Sequence, residues 1–262
     1  MFETKPKTRL FVENDLAAGL SVGLDPARAH FLKSVLRLAP GAKLALFNGR
    51  DGEFLARVDG FGKGWCSVSV EARTRPQVAE PDLWLLFAPV KRARIDFIAE
   101  KATELGVSAL VPVYTERTVV DRVNTERLRA NAVEAAEQSE RLSVPEVREP
   151  AAVNHALAAW PSGRRLLLCD ESGAAPPVTE ALAGAEGGAW ALLVGPEGGF
   201  APRELDALRN LPFVTAVSLG PRVLRSDTAA LAALAVFQAL VGDWRHSRSR
   251  SFRLRQGDDP PA

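Results

Sequence analysis

Two glycine-bearing loops, each directly after an apolar run, decide the fold class of this chain. Residues 190–200 read WALLVGPEGGF, and residues 215–229 read TAVSLGPRVLRSDTA. Short continuous apolar runs are typical of buried parallel strands, and the loops that follow such strands are where open α/β sheets bind small ligands. The first loop offers backbone groups and one carboxylate, whereas the second offers two arginines and an aspartate. We therefore predict an α/β fold with a ligand site at these loops.

Apolar strands alternate with helical patterns along residues 83–245 as a whole. The predicted strands are 83–88, 107–113, 165–169, 190–194 and 214–218. The predicted helices are 91–105, 125–142, a helix that begins at Pro202, and 228–241. Alternation of this kind predicts a parallel sheet that is covered by helices on both faces.

The first 72 residues follow a different pattern, which indicates a separate small β-barrel. Short runs with β-favouring residues are separated by Gly and Asp/Asn turns, and one helix that begins at Pro26 interrupts them. Residues 73–82 are polar, contain two prolines and have no periodicity, so we predict a linker there. The chain is thus divided into domains at 1–72 and 83–245, and a basic tail at 246–262 is predicted to be disordered.

The composition describes an ordinary globular protein without an overall basic field. The 262 residues are 47% hydrophobic and 25% charged, and the net charge is +1, so a nucleic acid would have to be bound by a local patch. Two cysteines and three histidines lie far apart, which predicts no zinc site, no other metal and no disulfide framework. No secretion signal and no membrane-spanning run is recognisable, so we expect a cytoplasmic protein.

The residue types in the two loops leave alternatives open. The segment 195–199 lacks the lysine and hydroxyl of a phosphate-binding loop. It suits a neutral or cationic ligand such as the sulfonium of S-adenosylmethionine. Alternatively, the segment is a tight turn that needs glycine for its backbone conformation. Asp227 can take part in chemistry, but Ser226, Asp227 and Thr228 are also good helix N-caps. Arg222 and Arg225 can be solvated charges or can bind an anion such as an RNA phosphate.

Five motifs follow one another along the chain. They are Arg9–Phe11 with His30–Arg37, Glu100–Val107 with Pro112 and Arg117, Glu137–Arg141 with Pro145, Gly195–Gly199, and Leu219–Ala229. In this order they resemble the motifs of the RsmE family, SPOUT-superfamily enzymes that methylate N3 of a uridine in small-subunit (16S) ribosomal RNA. The resemblance covers nearly the whole chain, and it departs from the family at Asp227, where glutamate is usual, and at Thr118, where serine is common.

The resemblance implies a trefoil-knot α/β methyltransferase domain after a PUA-like β-barrel that helps to hold RNA, a homodimer, and S-adenosylmethionine as cofactor. Arg225, Asp227 and Glu197 are the predicted catalytic residues, with Asp227 or Glu197 as proton acceptor. The predicted cofactor-binding residues are Leu193, Gly195, Pro196, Gly198, Gly199, Leu219, Gly220, Arg222 and Leu224. The predicted RNA-binding residues are Lys5, Lys7, Arg9, Lys33 and Arg37.

Three other functions compete with this prediction. A non-enzymatic RNA-binding or ribosome-assembly module would bind no cofactor. A SPOUT methyltransferase that acts on transfer RNA or on ribose would share the loops but not the substrate. A Rossmann dehydrogenase is disfavoured, because the first strand after residue 82 is not followed by a glycine-rich dinucleotide fingerprint.

Overall fold

The computed structural model describes residues 6–245, apart from the side chain of Arg92. Lys5 and the basic tail 246–262 lie outside the described residues. The described chain divides into two compact units, residues 6–78 and residues 79–245. The domain limits at 72 and 83 stay predictions, although the last strand of the first unit continues to Arg75, inside the predicted linker.

The first unit contains one five-stranded sheet and one short helix. Its strands are β1 (Arg9–Phe11), β2 (Ser21–Leu24), β3 (Lys43–Phe47), β4 (Glu53–Gly62) and β5 (Trp65–Arg75), and helix α1 (Pro26–His30) continues as a π-helical turn over Phe31–Val35. The strand order is β1-β3-β4-β5-β2, in which only the pair of β1 with β3 is parallel. The sequence predicts strands at 9–12, 43–47, 53–58 and 66–70, and it does not predict β2, which has only four residues and contains a glycine.

All five strands of the first unit send side chains into one core, so the sheet curls around it as predicted for a small barrel. Leu10, Leu24 and Leu46 come from three different strands, and Leu32 of the π-helical turn is also fully enclosed. Register shifts within the β4–β5 pair allow these long strands to bend. The core of this unit is therefore separate from that of the second unit.

The second unit is built on a parallel sheet. Its strands are β6 (Leu83–Phe87), β7 (Ala109–Tyr114), β8 (Glu146–Val147), β9 (Ala151–Ala152), β10 (Arg165–Cys169), β11 (Trp190–Val194) and β12 (Val214–Val217). Its helices are α2 (Arg92–Glu104), α3 (Thr125–Gln138), α4 (Val153–Ala158), α5 (Val178–Ala181), α6 (Pro202–Arg209) and α7 (Ser226–Leu240), followed by a 3-10 turn at Asp243–Arg245. The strand order is β12-β10-β11-β6-β7-β8, and β9 also pairs with β7.

Helices cover both faces of this sheet, which confirms the prediction from the apolar runs. Alternate residues of each strand point to opposite sides, so that Leu85 and Leu192 pack with α2 and α7 whereas Leu86 and Leu193 pack with α4 and α6. Burial on both faces explains why the central strands β6 and β11 are apolar at every position. The trefoil knot implied by the resemblance stays a prediction. Among the described residues no helix is long and apolar enough to cross a membrane.

Helix α3 ends four residues earlier than the predicted limit of 142, so Arg141 lies beyond the end of the helix that was predicted to contain it. Glu140 has a left-handed backbone, with φ of 61°, which stops the helix. Arg141 is buried, its Nη1 donates to the carbonyl of Thr103 at 2.7 Å, and its guanidinium pairs with Glu80. The side chain therefore adds a second hydrogen bond to the carbonyl of Thr103, which already accepts from the N–H of Gly106 at the end of α2.

Gln238 of α7 joins the ends of two helices inside the core. Its side chain is completely buried, its Nε2 donates to the carbonyl of Leu105 at 2.7 Å, and its Oε1 accepts from the backbone N–H of Asp243 at 3.1 Å. The nitrogen and the oxygen of this side-chain amide thus each satisfy a backbone group, one after α2 and one after α7, that would otherwise need a water molecule.

Replacing Gln238 with alanine is expected to lower the free energy of unfolding by about 1–3 kcal/mol, because buried backbone groups would lose their partner. Urea unfolding followed by circular dichroism measures the change. Gln138→Ala, at the exposed end of α3, is the matched control and should change stability by less than about 0.5 kcal/mol. Equal stability of the two variants would contradict this role of Gln238.

Candidate functional site

Three loops meet at the carboxyl edge of the parallel sheet and enclose a cavity of about 170 Å³. They follow β10, β11 and β12, and the lining residues come from segments 169–173, 194–199 and 218–229. The two loops singled out in the sequence are therefore brought together as expected. The loop after β10 was missed, because it carries no glycine motif that would mark it.

The loop after β11 is a tight turn in which glycine is required for two reasons. The N–H of Gly199 donates to the carbonyl of Pro196 at 2.9 Å, and Gly199 has a φ of +66°. A methyl group on Gly199 would also overlap the carboxylate of Glu171 from the β10 loop. At Gly195, the ring of Phe200 fills the space that a side chain would take. The two interpretations of this loop, as a tight turn and as a ligand-binding segment, are thus compatible, since the glycines that the turn requires also expose the backbone to the cavity.

The loop after β12 is fastened to the first loop at the start of α7. The Ser226 hydroxyl, which is buried, donates to the carbonyl of Gly195 at 2.8 Å. Before it, Gly220 adopts a φ of +107° and its N–H donates to the Ser218 hydroxyl at 3.2 Å. Arg222 and Arg225 remain exposed. Both cations can therefore reach a ligand from solvent.

The predicted helix caps need a correction. Arg225 occupies the N-cap position of α7 and makes no capping hydrogen bond with its side chain. Ser226 is already inside the helix, and its hydroxyl is used across the loops. Asp227 lies in the first turn, where its Oδ1 accepts from the N–H of Thr228 at 2.8 Å and its charge complements the helix dipole. The hydrogen bond at the helix terminus therefore uses only Oδ1 of Asp227, and it leaves Oδ2 for other contacts.

The two candidate proton acceptors face one arginine that the sequence analysis did not single out. Arg94, in the first turn of α2, places Nη1 3.4 Å from Oε1 of Glu197 and Nε 3.8 Å from Oδ2 of Asp227. The Asp227 side chain is 18% exposed and that of Glu197 is 45% exposed. The position of Arg94 in the first turn of the helix that follows strand β6 was the signal that could have identified it.

Arg117, quoted above only as part of a motif, contacts the glycine loop. Its Nη1 donates to the carbonyl of Gly198 at 2.8 Å. The neighbouring backbone is held by Glu204 of α6, a buried carboxylate whose Oε1 accepts from the N–H of Glu116 at 3.0 Å. The glycine loop is thereby supported by the segment after β7.

The missed β10 loop contributes two buried groups with shifted pKa values. Burial raises the pKa of the Cys169 thiol to about 12, so this thiol is not a nucleophile at neutral pH. Burial also acts to raise the pKa of Asp170, but hydrogen bonds from Arg209 and from the backbone and hydroxyl of Ser172 outweigh it and hold that pKa below its ordinary value. Asp170 is thus an ionised, fully enclosed carboxylate with Nε of Arg209 3.0 Å away.

Most of the predicted cofactor residues share the cavity. Leu193 does not line it, because its side chain points to the opposite face of the sheet, and Gly198 turns its carbonyl to Arg117. No group of three or more potential metal ligands exists among residues 6–245. The lining members of the predicted cofactor set are Gly195, Pro196, Gly199, Leu219, Gly220, Arg222 and Leu224, and Glu197, which was predicted to be catalytic, also lines the cavity.

The predicted RNA-binding residues belong to the first unit and differ in exposure. Lys7, Lys33 and Arg37 are exposed, and Arg37 has a φ of 54°. Arg9 is different, because its side chain is 14% exposed, its Nε donates to the buried Glu53 at 2.7 Å, and its guanidinium lies over the ring of Phe47. We therefore assign Arg9 to the packing of the barrel.

Comparison with known families relates both units to RNA modification. Residues 78–238 match a family model described as an RNA methyltransferase domain, and residues 24–70 match one described as an RNA methyltransferase PUA domain. The chain is 32% identical over 238 residues to the ribosomal RNA small subunit methyltransferase E of Rickettsia conorii, covering 88% of this chain and 95% of the relative. The Mycobacterium tuberculosis protein of the same name is 34% identical and covers 82% of this chain and 85% of the relative.

Solved structures agree with these sequence relatives. The crystal structure of the Neisseria gonorrhoeae ribosomal RNA small subunit methyltransferase E bound to S-adenosyl methionine has a TM-score of 0.81 and 30% identity, covering 90% of this chain and 99% of that one. A Legionella pneumophila methyltransferase in complex with the same molecule has a TM-score of 0.82 and 28% identity, covering 92% of this chain and all of that one. The SPOUT-like fold with an amino-terminal PUA domain is thereby confirmed.

Replacing Arg209 with alanine is expected to destabilise the protein by about 3 kcal/mol at pH 7, because Asp170 would stay buried and charged without its partner. The pKa of Asp170 is lowered on folding, so its contribution is present above the ordinary pKa of 3.8 and is lost as the pH falls through the lower folded value. The deficit should therefore shrink below about pH 4. Thermal unfolding from pH 3 to pH 8 measures it, and a pH-independent deficit would contradict this account.

Proposed function

This chain belongs to the ribosomal RNA small subunit methyltransferase E family, and on that premise we propose that it transfers a methyl group from S-adenosylmethionine to N3 of a uridine in small-subunit (16S) ribosomal RNA. The observation that carries the proposal is the cavity at the carboxyl edge of the sheet, which the two motif-bearing loops enclose together with the β10 loop. We further propose that the protein works as a homodimer in the cytoplasm.

The groups around the cavity fit S-adenosylmethionine. Backbone groups of the glycine loop are available to the adenine and ribose, and there is no lysine among the lining residues that would serve a phosphate. Glu171 and Glu197 place negative charge at the cavity, which suits a cation. When bound, S-adenosylmethionine supplies a methyl group on a positively charged sulfur, which is open to attack by a nucleophile.

The remaining chemistry falls to the side chains of this protein. N3 of uridine is protonated at neutral pH and becomes a nucleophile when its proton is removed. We assign that proton to Oδ2 of Asp227, which is less exposed than the alternative acceptor Glu197. The N3–carbon bond then forms as the carbon–sulfur bond breaks, and S-adenosylhomocysteine leaves. Arg225, at the N-cap of α7, is assigned to the negative charge that develops on the uracil.

The uridine must leave any base pair before its N3 becomes accessible. We propose that exposed cations of the first unit hold the surrounding RNA by its phosphates, as Lys7, Lys33 and Arg37 are free to do sterically. The predicted role of Lys5 is retained although that residue lies outside the described part. Arg9 is left out, since its charge is taken up by Glu53.

The reaction is tested by incubating the protein with labelled S-adenosylmethionine and small ribosomal subunits from cells that lack this modification. We expect incorporation of label and a reverse-transcriptase stop at one uridine, because a methyl group on N3 blocks base pairing. Incorporation without a stop, or into transfer RNA alone, would overturn the uridine-N3 assignment. Absence of cofactor binding would favour the non-enzymatic RNA-binding module.

The proton acceptor is tested by comparing Asp227→Asn with Glu197→Gln. If Asp227 removes the proton, Asp227→Asn should lower single-turnover methyl transfer by about 10²–10⁴-fold and leave the affinity for S-adenosylmethionine unchanged. Glu197→Gln should have the smaller effect. Calorimetric titration provides the affinity, and the reverse ranking of the two variants would transfer the role to Glu197.

A further inference from the structure

We propose that Arg94 is a positioning residue that holds both carboxylates, Glu197 and Asp227, for the transfer of the uridine proton. This inference rests on the proposed function and adds to it a residue that neither the loop motifs nor the comparisons assign. It is carried by the place of Arg94 in the fold, by its contacts with two loops, and by the charges that it separates.

The fold brings Arg94 to the edge of the sheet where the loops meet. Strand β6 lies beside β11, and the N–H of Ala88 donates to the carbonyl of Val194 at 3.0 Å, immediately before the glycine loop. Helix α2 begins four residues later, and the N–H of Arg94 donates to the carbonyl of Lys91 in its first turn. The backbone at Arg94 is therefore anchored beside the site independently of either loop.

One guanidinium contacts carboxylates from two different loops. Nη1 of Arg94 lies 3.4 Å from Glu197 of the β11 loop, and Nε lies 3.8 Å from Asp227 after β12. Two carboxylates that approach each other without a cation between them repel. Arg94 removes that repulsion. Its planar guanidinium can face both partners at once, whereas the ammonium group of lysine is a single point charge.

The geometry leaves one oxygen available for chemistry. Oδ1 of Asp227 accepts from the N–H of Thr228, so Oδ2 is the oxygen that faces Arg94. A separation of 3.8 Å is longer than a hydrogen bond, so Arg94 attracts this oxygen without occupying its lone pairs. Arg94 thereby holds the carboxylate in position, and Oδ2 can still accept a proton from the substrate.

The same contacts also fit an ordinary surface ion pair, which would contribute at most about 1 kcal/mol to stability and nothing to catalysis. The two interpretations differ in what happens to turnover. Loss of a positioning residue lowers the rate of the step that its partner performs, whereas loss of a surface ion pair leaves that rate unchanged.

The experiment compares Arg94→Ala, Arg94→Lys and the control Arg203→Ala in single-turnover methyl transfer to unmodified small subunits. Arg203 is an exposed arginine in the first turn of α6 that forms no ion pair within residues 6–245. Arg94→Ala should lower the rate between about 10-fold and 100-fold, because a misplaced catalytic group has an effect of that size. Arg94→Lys should recover part of the rate, and Arg203→Ala should match the unmodified protein.

Two further measurements separate positioning from a general structural effect. The dissociation constant for S-adenosylmethionine and the thermal midpoint of Arg94→Ala should equal those of Arg203→Ala. In an Asp227→Asn background, adding Arg94→Ala should change the rate less than twofold, since the residue that it positions is already gone.

The proposal is overturned if Arg94→Ala turns over like the control, if it loses cofactor affinity to the same extent as rate, or if its effect is undiminished beside Asp227→Asn. A failure of the proposed function looks different, because the unmodified protein would then transfer no methyl group to the subunits at all.

Discussion

Parallel pairing of β10, β11 and β12 is the constraint on which the site depends. Strands that run in the same direction deliver their following loops to one edge, so segments that are distant in the chain enclose one cavity. Burial on both faces keeps the central strands β6 and β11 apolar along their whole length, so these strands offer no charged side chain for chemistry. Chemistry is therefore confined to the loops and to the first turns of the helices that follow them.

Loops at such an edge need support from outside their own backbone, and each of the three has it. The Ser226 hydroxyl ties the β12 loop to Gly195, Arg117 holds Gly198, and Arg209 neutralises the buried Asp170 beside the third loop. These supports come from α7, from the segment after β7, and from α6. The cavity is thus shaped before any ligand arrives, which lowers the ordering cost of binding.

Electrostatics at the site are local, because the chain as a whole carries a net charge of only +1. Carboxylates lie at the cavity while Arg222 and Arg225 remain exposed on the β12 loop. A cationic cofactor and an anionic RNA can be attracted to neighbouring parts of one site by this arrangement. Arg94 contributes a further positive charge, since it faces Glu197 and Asp227 while remaining one-third exposed.

The sequence by itself determined the barrel, the two-faced parallel sheet and both glycine loops, because apolar periodicity and glycine turns are local signals. It could not determine that Ser226 bonds across to Gly195, that Arg9 is half-buried and Arg141 buried in ion pairs, or that Arg94 faces two carboxylates. Those facts were decided only by tertiary structure. Whether an arginine is solvated, paired or directed at a site depends on which distant carboxylate the folded chain places beside it. The spacing of charged residues along the sequence does not reveal these partners.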